Sequence, residues 1–142
     1  MFSHLYGPLP KQLVGKPAIV NLYGNKKAKA EEWCGAELHE VSKWAKGLTN
    51  TIYVANMAPP QIDLRHFAED EFAPNRGWFP EDMTDELLSW FLGDRAVLML
   101  TVFDGFMGRG TVGQSCIRAS CAFVGIDRDP ERIQIAREYL GC

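Results

Sequence analysis

Residues 97–142 read VLMLTVFDGFMGRGTVGQSCIRASCAFVGIDRDPERIQIAREYLGC, and this segment carries the clearest indication of the fold class. It begins with a run, 97–103, that is apolar except for Thr101 and is typical of a strand buried on both faces of a parallel sheet. An acid, Asp104, follows directly, and the next six residues, GFMGRG, contain three glycines. Glycine lets the backbone take positive φ or approach a ligand closely, so the pattern predicts a strand that ends at a ligand-binding turn.

The rest of the stretch predicts a helix, a second strand and a further helix. The segment 111–120 is compatible with a helix, the apolar run 122–126 ends at Asp127, and Asp129-Pro130 is typical of a helix start. Ligands of parallel sheets collect at the carboxyl ends of the strands, where a carboxylate after the second strand can accept hydrogen bonds from both ribose hydroxyls. An adenosine-containing cofactor is therefore the expected ligand. The turn has the form FxGxG rather than GxGxxG, which disfavours a dinucleotide.

The segments DGFMGRGTVGQSC and FVGIDRDPERIQIAREYL resemble motifs I and II of the amino-group DNA methyltransferases, which make N6-methyladenine or N4-methylcytosine. The family motifs have the forms DPFxGSGTT and FxGIExDPxYxxIAxxRL, and the similarity runs through both segments without a gap. The resemblance implies that this region binds S-adenosylmethionine (SAM), with Asp127 on the ribose hydroxyls. It implies four residues on the methionine and sulfonium side: Asp104, Phe106, Gly108 and Gly110. The alternative is a parallel sheet whose acids only cap helices.

Composition limits the remaining possibilities. With 142 residues and 46% hydrophobic content, the chain is expected to form a single domain, 1–142, around one core. The formal net charge of −3 argues against a strongly phosphate-binding surface. No stretch is long and apolar enough to span a membrane, and the first residues lack the plan of a signal peptide, so a cytoplasmic location is expected.

Cysteine and histidine give no sign of a metal site. The four cysteines show no CxxC spacing and no paired histidine ligands, so neither a disulfide framework nor a metal site is expected. The three histidines are scattered and are more typical of surface or core positions than of catalysis. These residues are Cys34, Cys116, Cys121, Cys142, His4, His39 and His66.

The first half of the chain predicts a strand, a helix and a strand. The run 17–20 favours a strand, and 51–55, which is rich in β-branched and aromatic residues, favours another that ends at Asn56. Between them, apolar residues recur at steps of three and four, which predicts a helix over 28–46. These residues are Cys34, Leu38, Val41, Ala45 and Leu48.

This block also resembles the methyltransferase family, in which a strand ends in a D/N/S-PP-Y/F motif and a helix of the form EWxxELxRVLKPGG follows. Here AIVNLYGN and EEWCGAELHEVSKWAKGLTNTIYVAN follow that plan, but Asn21, Leu22 and Tyr23 stand at the motif, one residue short and without proline. The resemblance implies that Asn21 accepts hydrogens from the exocyclic amine of a flipped base and that Tyr23 stacks on the base. Without the prolines the direction of the second acceptor, a backbone carbonyl, is not fixed. A working variant and an eroded site both remain open. The segment 58–61, APPQ, keeps two prolines but follows another strand, so it is interpreted as a loop.

Residues 57–79 are longer than an ordinary connection. In the resembled family the target-recognition region lies here, but it is larger and more basic. Three aromatic residues could stack a base or cover the edge of the core: Phe67, Phe72 and Trp78. The following helix, through Leu92, is similar to motif X. A basic cluster after Tyr23 could hold a phosphate or simply begin a solvated helix: Lys26, Lys27 and Lys29.

Four polar residues each follow a predicted strand, and in a parallel sheet all would lie along one edge. They are Asn21, Asn56, Asp104 and Asp127. The expected fold is a three-layer Rossmann-like α/β domain of the SAM-dependent methyltransferase type, with a mostly parallel sheet and permuted motif order.

Three functions remain open at this point. The first is a minimal, phage-like methyltransferase acting on adenine N6 or cytosine N4 of DNA. The second is an inactive cofactor-binding or interaction protein with the same fold, and the third is a methyltransferase for a protein or small molecule. A second copy of the chain, or a separate recognition subunit, is a possible partner.

Overall fold

A computed structural model describes residues 11–44, 50–67, 79–93 and 100–142. The chain divides into two compact units, Met1–Gly77 and Trp78–Cys142. The expectation of a single domain over the whole chain stays a prediction.

The described residues of the first unit form a three-stranded antiparallel sheet and one α-helix. After a 3-10 turn at Lys11–Leu13, its elements in chain order are β1 (Ala18–Tyr23), α1 (Lys27–Cys34), β2 (Leu38–Trp44) and β3 (Asn50–Ala55). The strand order is β1-β3-β2, so β1 and β2 are parallel to each other and β3 runs between them in the opposite direction. Ala55 lies opposite both Ala18 and Leu38 at one end of the sheet, and Asn50 lies opposite Tyr23 and Trp44 at the other.

The predicted helix over 28–46 is wrong for residues 35–44, and its residues 45 and 46 lie outside the described residues. Gly35 takes a left-handed conformation, φ 64°, and donates its N–H to the carbonyl of Glu31 at 2.9 Å, which ends α1. Residues 38–44 then form β2, and a bulge between Glu40 and Ser42 shifts the register. Because the bulge adds one residue to the strand and both faces of β2 bury side chains, its apolar residues imitate helical spacing.

Each face of this sheet buries side chains. Between one face and α1 lies a cluster of four buried apolar residues: Leu22, Leu38 and Ala55 of the sheet and Ala30 of the helix. The other face buries Trp44, Ile52 and Val54 completely. The segment after β3 is hydrogen-bonded to β2: the backbone N–H of the fully buried Leu64 donates to Ser42 Oγ at 2.9 Å.

The second unit confirms the predicted order of strand, turn, helix, strand and helix. Its elements are α2 (Glu81–Leu92), β4 (Thr101–Asp104), α3 (Thr111–Ala119), β5 (Ala122–Gly125) and α4 (Pro130–Leu140). The strands β4 and β5 are parallel, with Asp104 opposite Gly125. The helix α2 follows Pro80 and has two acids in its first turn, as the helix dipole favours.

One face of the β4–β5 pair packs on helices and the other is exposed. The buried cluster of this unit consists of Leu88, Leu92, Cys116 and Cys121, with Val102 and Phe123 packed against it. Phe103, Val124 and Ile126 alternate with the covered positions and are 38%, 48% and 52% exposed. The expected burial of these strands on both faces is therefore not observed.

The expectation of a mostly parallel sheet is also not met among the described strands, because three of them form an antiparallel sheet and two form a parallel pair. A parallel neighbour requires a long crossover, usually a helix. Since residues 38–44 form a strand instead of the second half of a helix, only residues 45–49 connect β2 to β3, and the two strands pair antiparallel. Within the described ranges, no helix has the length and apolar character needed to cross a bilayer.

Candidate functional site

The carboxyl ends of β4 and β5 bring Asp104 and Asp127 to the same edge. Asp104 is the last residue of β4, and its carbonyl accepts the N–H of Ile126 at 2.9 Å. Asp127 follows Ile126 directly. The carbonyl of Ile126 in turn accepts the N–H of Met107 at 3.1 Å. This hydrogen bond connects the glycine-bearing turn to the residue that follows β5. The predicted common edge is therefore observed for these two acids.

The carboxylate of Asp127 is oriented by two backbone donors. Its Oδ2 accepts the N–H of Gly108 at 3.1 Å, and its Oδ1 accepts the N–H of Asp129 at 2.9 Å. A carboxylate offers about four lone-pair positions, so about two remain for other donors. This acceptor capacity fits the two vicinal hydroxyls of a ribose.

Asp104 is a partly buried carboxylate. Burial raises the pKa of Asp104, and the negative charge of Asp127 raises it further, whereas the hydrogen bond from the Phe106 backbone N–H at 3.0 Å opposes the shift. A partly buried carboxylate next to another negative charge favours a cationic partner. An ammonium or sulfonium group at this edge would provide that partner.

The turn between β4 and α3 depends on two glycines with positive φ. Gly108 has φ 54° and Gly110 has φ 91°, and the N–H of Gly110 donates to the carbonyl of Met107 at 2.8 Å. Gly110 is buried, and a Cβ at this position would lie 3.1 Å from Leu140 Cδ1. The turn leads into the first N–H groups of α3, and Phe106 is 51% exposed beside it.

Two glycines that the sequence did not single out allow close packing behind the turn. A Cβ on Gly113 would lie 2.7 Å from Phe123 Cε1, and one on Gly125 would lie 2.5 Å from Met107 Sδ. Gly113 lies in the first turn of α3, and Gly125 is the last residue of β5. Substitution at either position would displace the structure that supports the turn.

Arg109 is a further residue of the turn that was not predicted as part of the site. It stands where the resembled motif has serine. Its Nε donates to Thr111 Oγ1 at 3.3 Å, and its guanidinium lies 5.8 Å from the centre of the Tyr139 ring. The arginine therefore contacts α3 and α4.

The predicted catalytic residues lie in the first unit. Asn21 is inside β1, not after it, and its Oδ1 accepts the Trp44 indole N–H at 2.8 Å. Its Nδ2 donates to Asn50 Oδ1 at 3.5 Å, and both Trp44 and Asn50 are buried. Tyr23 ends β1 and is 61% exposed. Catalytic roles for Asn21 and Tyr23 stay predictions.

Asn56 does not share an edge with Asn21 or Tyr23. It follows Ala55, which lies at the opposite end of the sheet from Tyr23, and its Nδ2 donates to the carbonyl of Lys16 at 3.0 Å. The prediction that Asn21 and Asn56 line one edge assumed parallel strands and is wrong because β1 and β3 are antiparallel.

Other sequence candidates contribute no site among the described residues. Residues 58–61 have no regular structure, as expected of a loop, and Phe67 is half-buried. Phe72 and Trp78 lie outside the described residues. The cysteines are free, burial raises the pKa of Cys116 to about 12, and the described ranges contain no cluster of side chains suited to a metal ion.

A groove of about 310 Å³ lies between α2 and α3, away from the two acids. Arg118 lines it and pairs with Asp85 at 2.8 Å. The charges in this groove are therefore compensated by each other, and the edge formed by Asp104 and Asp127 remains the candidate site.

Neither a protein-family model nor a curated protein matches this chain. Among solved structures it is similar to M1.HpyAVI, with 15% identity and a TM-score of 0.58 over 94% of this chain and 84% of the other. The M1.HpyAVI–SAM complex is similar with 17% identity and a TM-score of 0.56 over 87% of this chain and 74% of the other. This likeness gives the chain a methyltransferase-like α/β fold.

Proposed function

We propose that the protein is a SAM-dependent methyltransferase whose cofactor binds at the carboxyl ends of β4 and β5. The observation that carries this proposal is the pair of acids, Asp104 and Asp127, at one edge of a parallel strand pair next to a glycine turn. The solved complex of a structurally similar protein with SAM supports the choice of cofactor.

Different residues at this edge would bind different parts of the cofactor. Asp127 accepts the ribose hydroxyls with the lone pairs that Gly108 and Asp129 leave available. Asp104 faces the positive methionine end, where its negative charge lowers the energy of a cation. Phe106 covers the ligand with an exposed ring. When bound, SAM supplies an electrophilic methyl group for direct displacement.

The finer proposal is that the methyl group goes to the exocyclic amine of a DNA base, adenine N6 or cytosine N4. It is supported by the resemblance of the sequence motifs to those of the amino-group DNA methyltransferases. Asn21 Oδ1 accepts one hydrogen bond, from the indole N–H of Trp44, and its second lone pair can accept a hydrogen from the amine. The exposed ring of Tyr23 would stack on the base. A second copy of the chain or a separate subunit would supply sequence recognition.

A second candidate is a protein that binds SAM without transferring methyl groups. The contacts of Asn21 favour it, because both ends of the amide are hydrogen-bonded inside the sheet, to Trp44 and Asn50. A residue used in this way contributes to the sheet whether or not a base binds.

The test combines calorimetric titration of SAM with transfer of labelled methyl to DNA of mixed sequence by the same preparation. Asn21→Ala removes the acceptor, while Asn21→Asp keeps an oxygen for Trp44 and serves as the matched variant. Label on DNA that is lost in Asn21→Ala and retained in Asn21→Asp, with SAM affinity unchanged in both, supports the enzyme. SAM binding without transfer in the wild type supports the second candidate, and no SAM binding refutes both.

A further inference from the structure

Lysine is confined to one part of the chain. All seven lysines lie between Lys11 and Lys46, whereas residues 47–142 contain none. Residues 11–46 contain only four acids, all glutamate, although the whole chain has a formal net charge of −3. A basic segment in an acidic chain is the charge distribution expected of a surface that binds a polyanion.

The structure brings four of these lysines to one side of the antiparallel sheet. Three are exposed at the start of α1: Lys26, Lys27 and Lys29. The fourth, Lys43, is exposed on β2 opposite Thr51, which lies opposite Leu22 on β1. Leu22 packs in the same cluster as Ala30 of α1, so Lys43 is on the sheet face that carries α1. We call these four residues the lysine surface.

One aromatic ring lies next to the lysine surface. Lys27 Nζ lies 5.9 Å from the centre of the Tyr53 ring, on the same sheet face. Glu40, opposite Tyr53, is an acid on this face of β2 and leaves the surface with a net positive charge. Tyr53 itself packs against the core cluster below α1, so the lysines, and not a stacked ring, would provide the contacts to a polyanion.

The helix dipole does not explain the lysines at the start of α1. The amino end of a helix carries partial positive charge, so cations there are unfavourable. The first turn of α1 contains lysine and no acid, while Glu31 and Glu32 lie nearer its carboxyl end. This arrangement is the reverse of the one that the helix dipole favours. A bound anion at the lysine surface would relieve both the repulsion among the lysines and their repulsion from the helix end.

We propose that the lysine surface binds the phosphate backbone of duplex DNA. The inference rests on the proposed function, because it takes DNA as the substrate, and it assigns the backbone contacts to the first unit. Lysine is a flexible point charge without the bidentate geometry of arginine, so its phosphate contacts carry no sequence information. The surface therefore holds DNA of any sequence.

The test measures binding of a short fluorescein-labelled DNA duplex to the intact chain by anisotropy at several salt concentrations. The variant Lys26→Gln/Lys29→Gln removes two charges from the lysine surface. The matched control, Lys11→Gln/Lys16→Gln, removes two exposed lysine charges elsewhere. Lys16 lies near Asn56, at the end of the sheet opposite Tyr23.

The expected result is that the first variant binds more weakly by about tenfold or more near 0.1 M salt, while the control matches the wild type. The slope of log K against log salt should be less steep by about 1.8 in the first variant, because each neutralised phosphate contributes about 0.9. Its melting temperature should not fall, since it removes cations from a helix amino end.

Equal losses in both variants would overturn the inference, because they would show only an effect of total charge. Absence of DNA binding by the wild type would also overturn it, as would binding to phosphatidylserine vesicles instead of DNA. Calorimetric titration of SAM with the wild type and both variants distinguishes a failure of this inference from a failure of the proposed function. SAM binding that persists without DNA binding refutes the lysine surface alone.

Discussion

Replacement of Asp127 by asparagine tests the cofactor site directly. Asparagine has one carbonyl oxygen, so it can accept the N–H of Gly108 or of Asp129 but leaves an NH₂ group towards the other. The variant should lose one intramolecular hydrogen bond, worth about 1 kcal/mol of the free energy of unfolding. The loss in free energy of SAM binding should be larger than this loss in stability, because the two ribose hydroxyls would no longer face a charged acceptor.

The expected loss of SAM affinity is about 2–3 kcal/mol, or about 30- to 150-fold in Kd, since hydrogen bonds to charged groups are worth about 1.5–3 kcal/mol each. Isothermal titration calorimetry measures Kd, and thermal unfolding of the same samples measures stability. The matched control is Asp129→Asn. Asp129 caps α4 by accepting the N–H of Glu131 at 3.0 Å, and asparagine caps a helix equally well. It removes the same charge two residues away and should leave SAM affinity unchanged.

Two results would refute the assignment of Asp127 to the ribose. One is Asp127→Asn with the SAM affinity of the wild type. The other is an equal loss in Asp127→Asn and Asp129→Asn, which would show that the total charge near α4, and not a specific acceptor, decides the affinity.

Three further substitutions test the packing and the charges. Gly113→Ala should lower the free energy of unfolding, measured by thermal melts, by about 1–2 kcal/mol, because crowding against Phe123 outweighs the gain in helix propensity. An equal loss when Phe123 is replaced by leucine would contradict this explanation. Burial raises the pKa of Asp104, so its charge costs stability above the ordinary carboxyl pKa of 3.8. Asp104→Asn should therefore raise Tm near neutral pH, and this gain should disappear as the pH falls below the ordinary carboxyl pKa. The substitution should also weaken SAM binding. A lower Tm than wild type at neutral pH would contradict this reasoning. Asn21→Ala should lower the free energy of unfolding by about 1 kcal/mol because the Trp44 N–H loses this acceptor, whereas Asn21→Asp should stay closer to wild type; chemical denaturation compares them.

The second unit could be predicted from sequence because its signals are local. A glycine pair with positive φ and an aspartate before proline at a helix start each act within a few residues. The parallel pairing of β4 and β5 follows from the helix between them. The common edge of Asp104 and Asp127 followed from these features alone.

The first unit was harder to predict because long-range pairing decides it. A bulge in β2 and the termination at Gly35 replaced the second half of the expected helix by a strand. The hydrogen bonds of Asn21 join residues that are 23 and 29 positions apart, so their partners depend on the register of three strands. No pattern near Asn21 in the sequence indicates Trp44 or Asn50 as its partners.

Different kinds of selection would conserve the two acids of the site. Asp127 holds the turn by accepting the N–H of Gly108, so an aspartate there benefits folding even in a protein that binds no cofactor. Asp104 is different, because its burial beside another negative charge makes the ionised form unfavourable to the fold. Selection for stability alone would favour a neutral residue at position 104, since stability and activity often oppose each other at functional sites. Among relatives of this chain, loss of the acid at position 104 should therefore accompany loss of ligand binding earlier than loss of the acid at position 127.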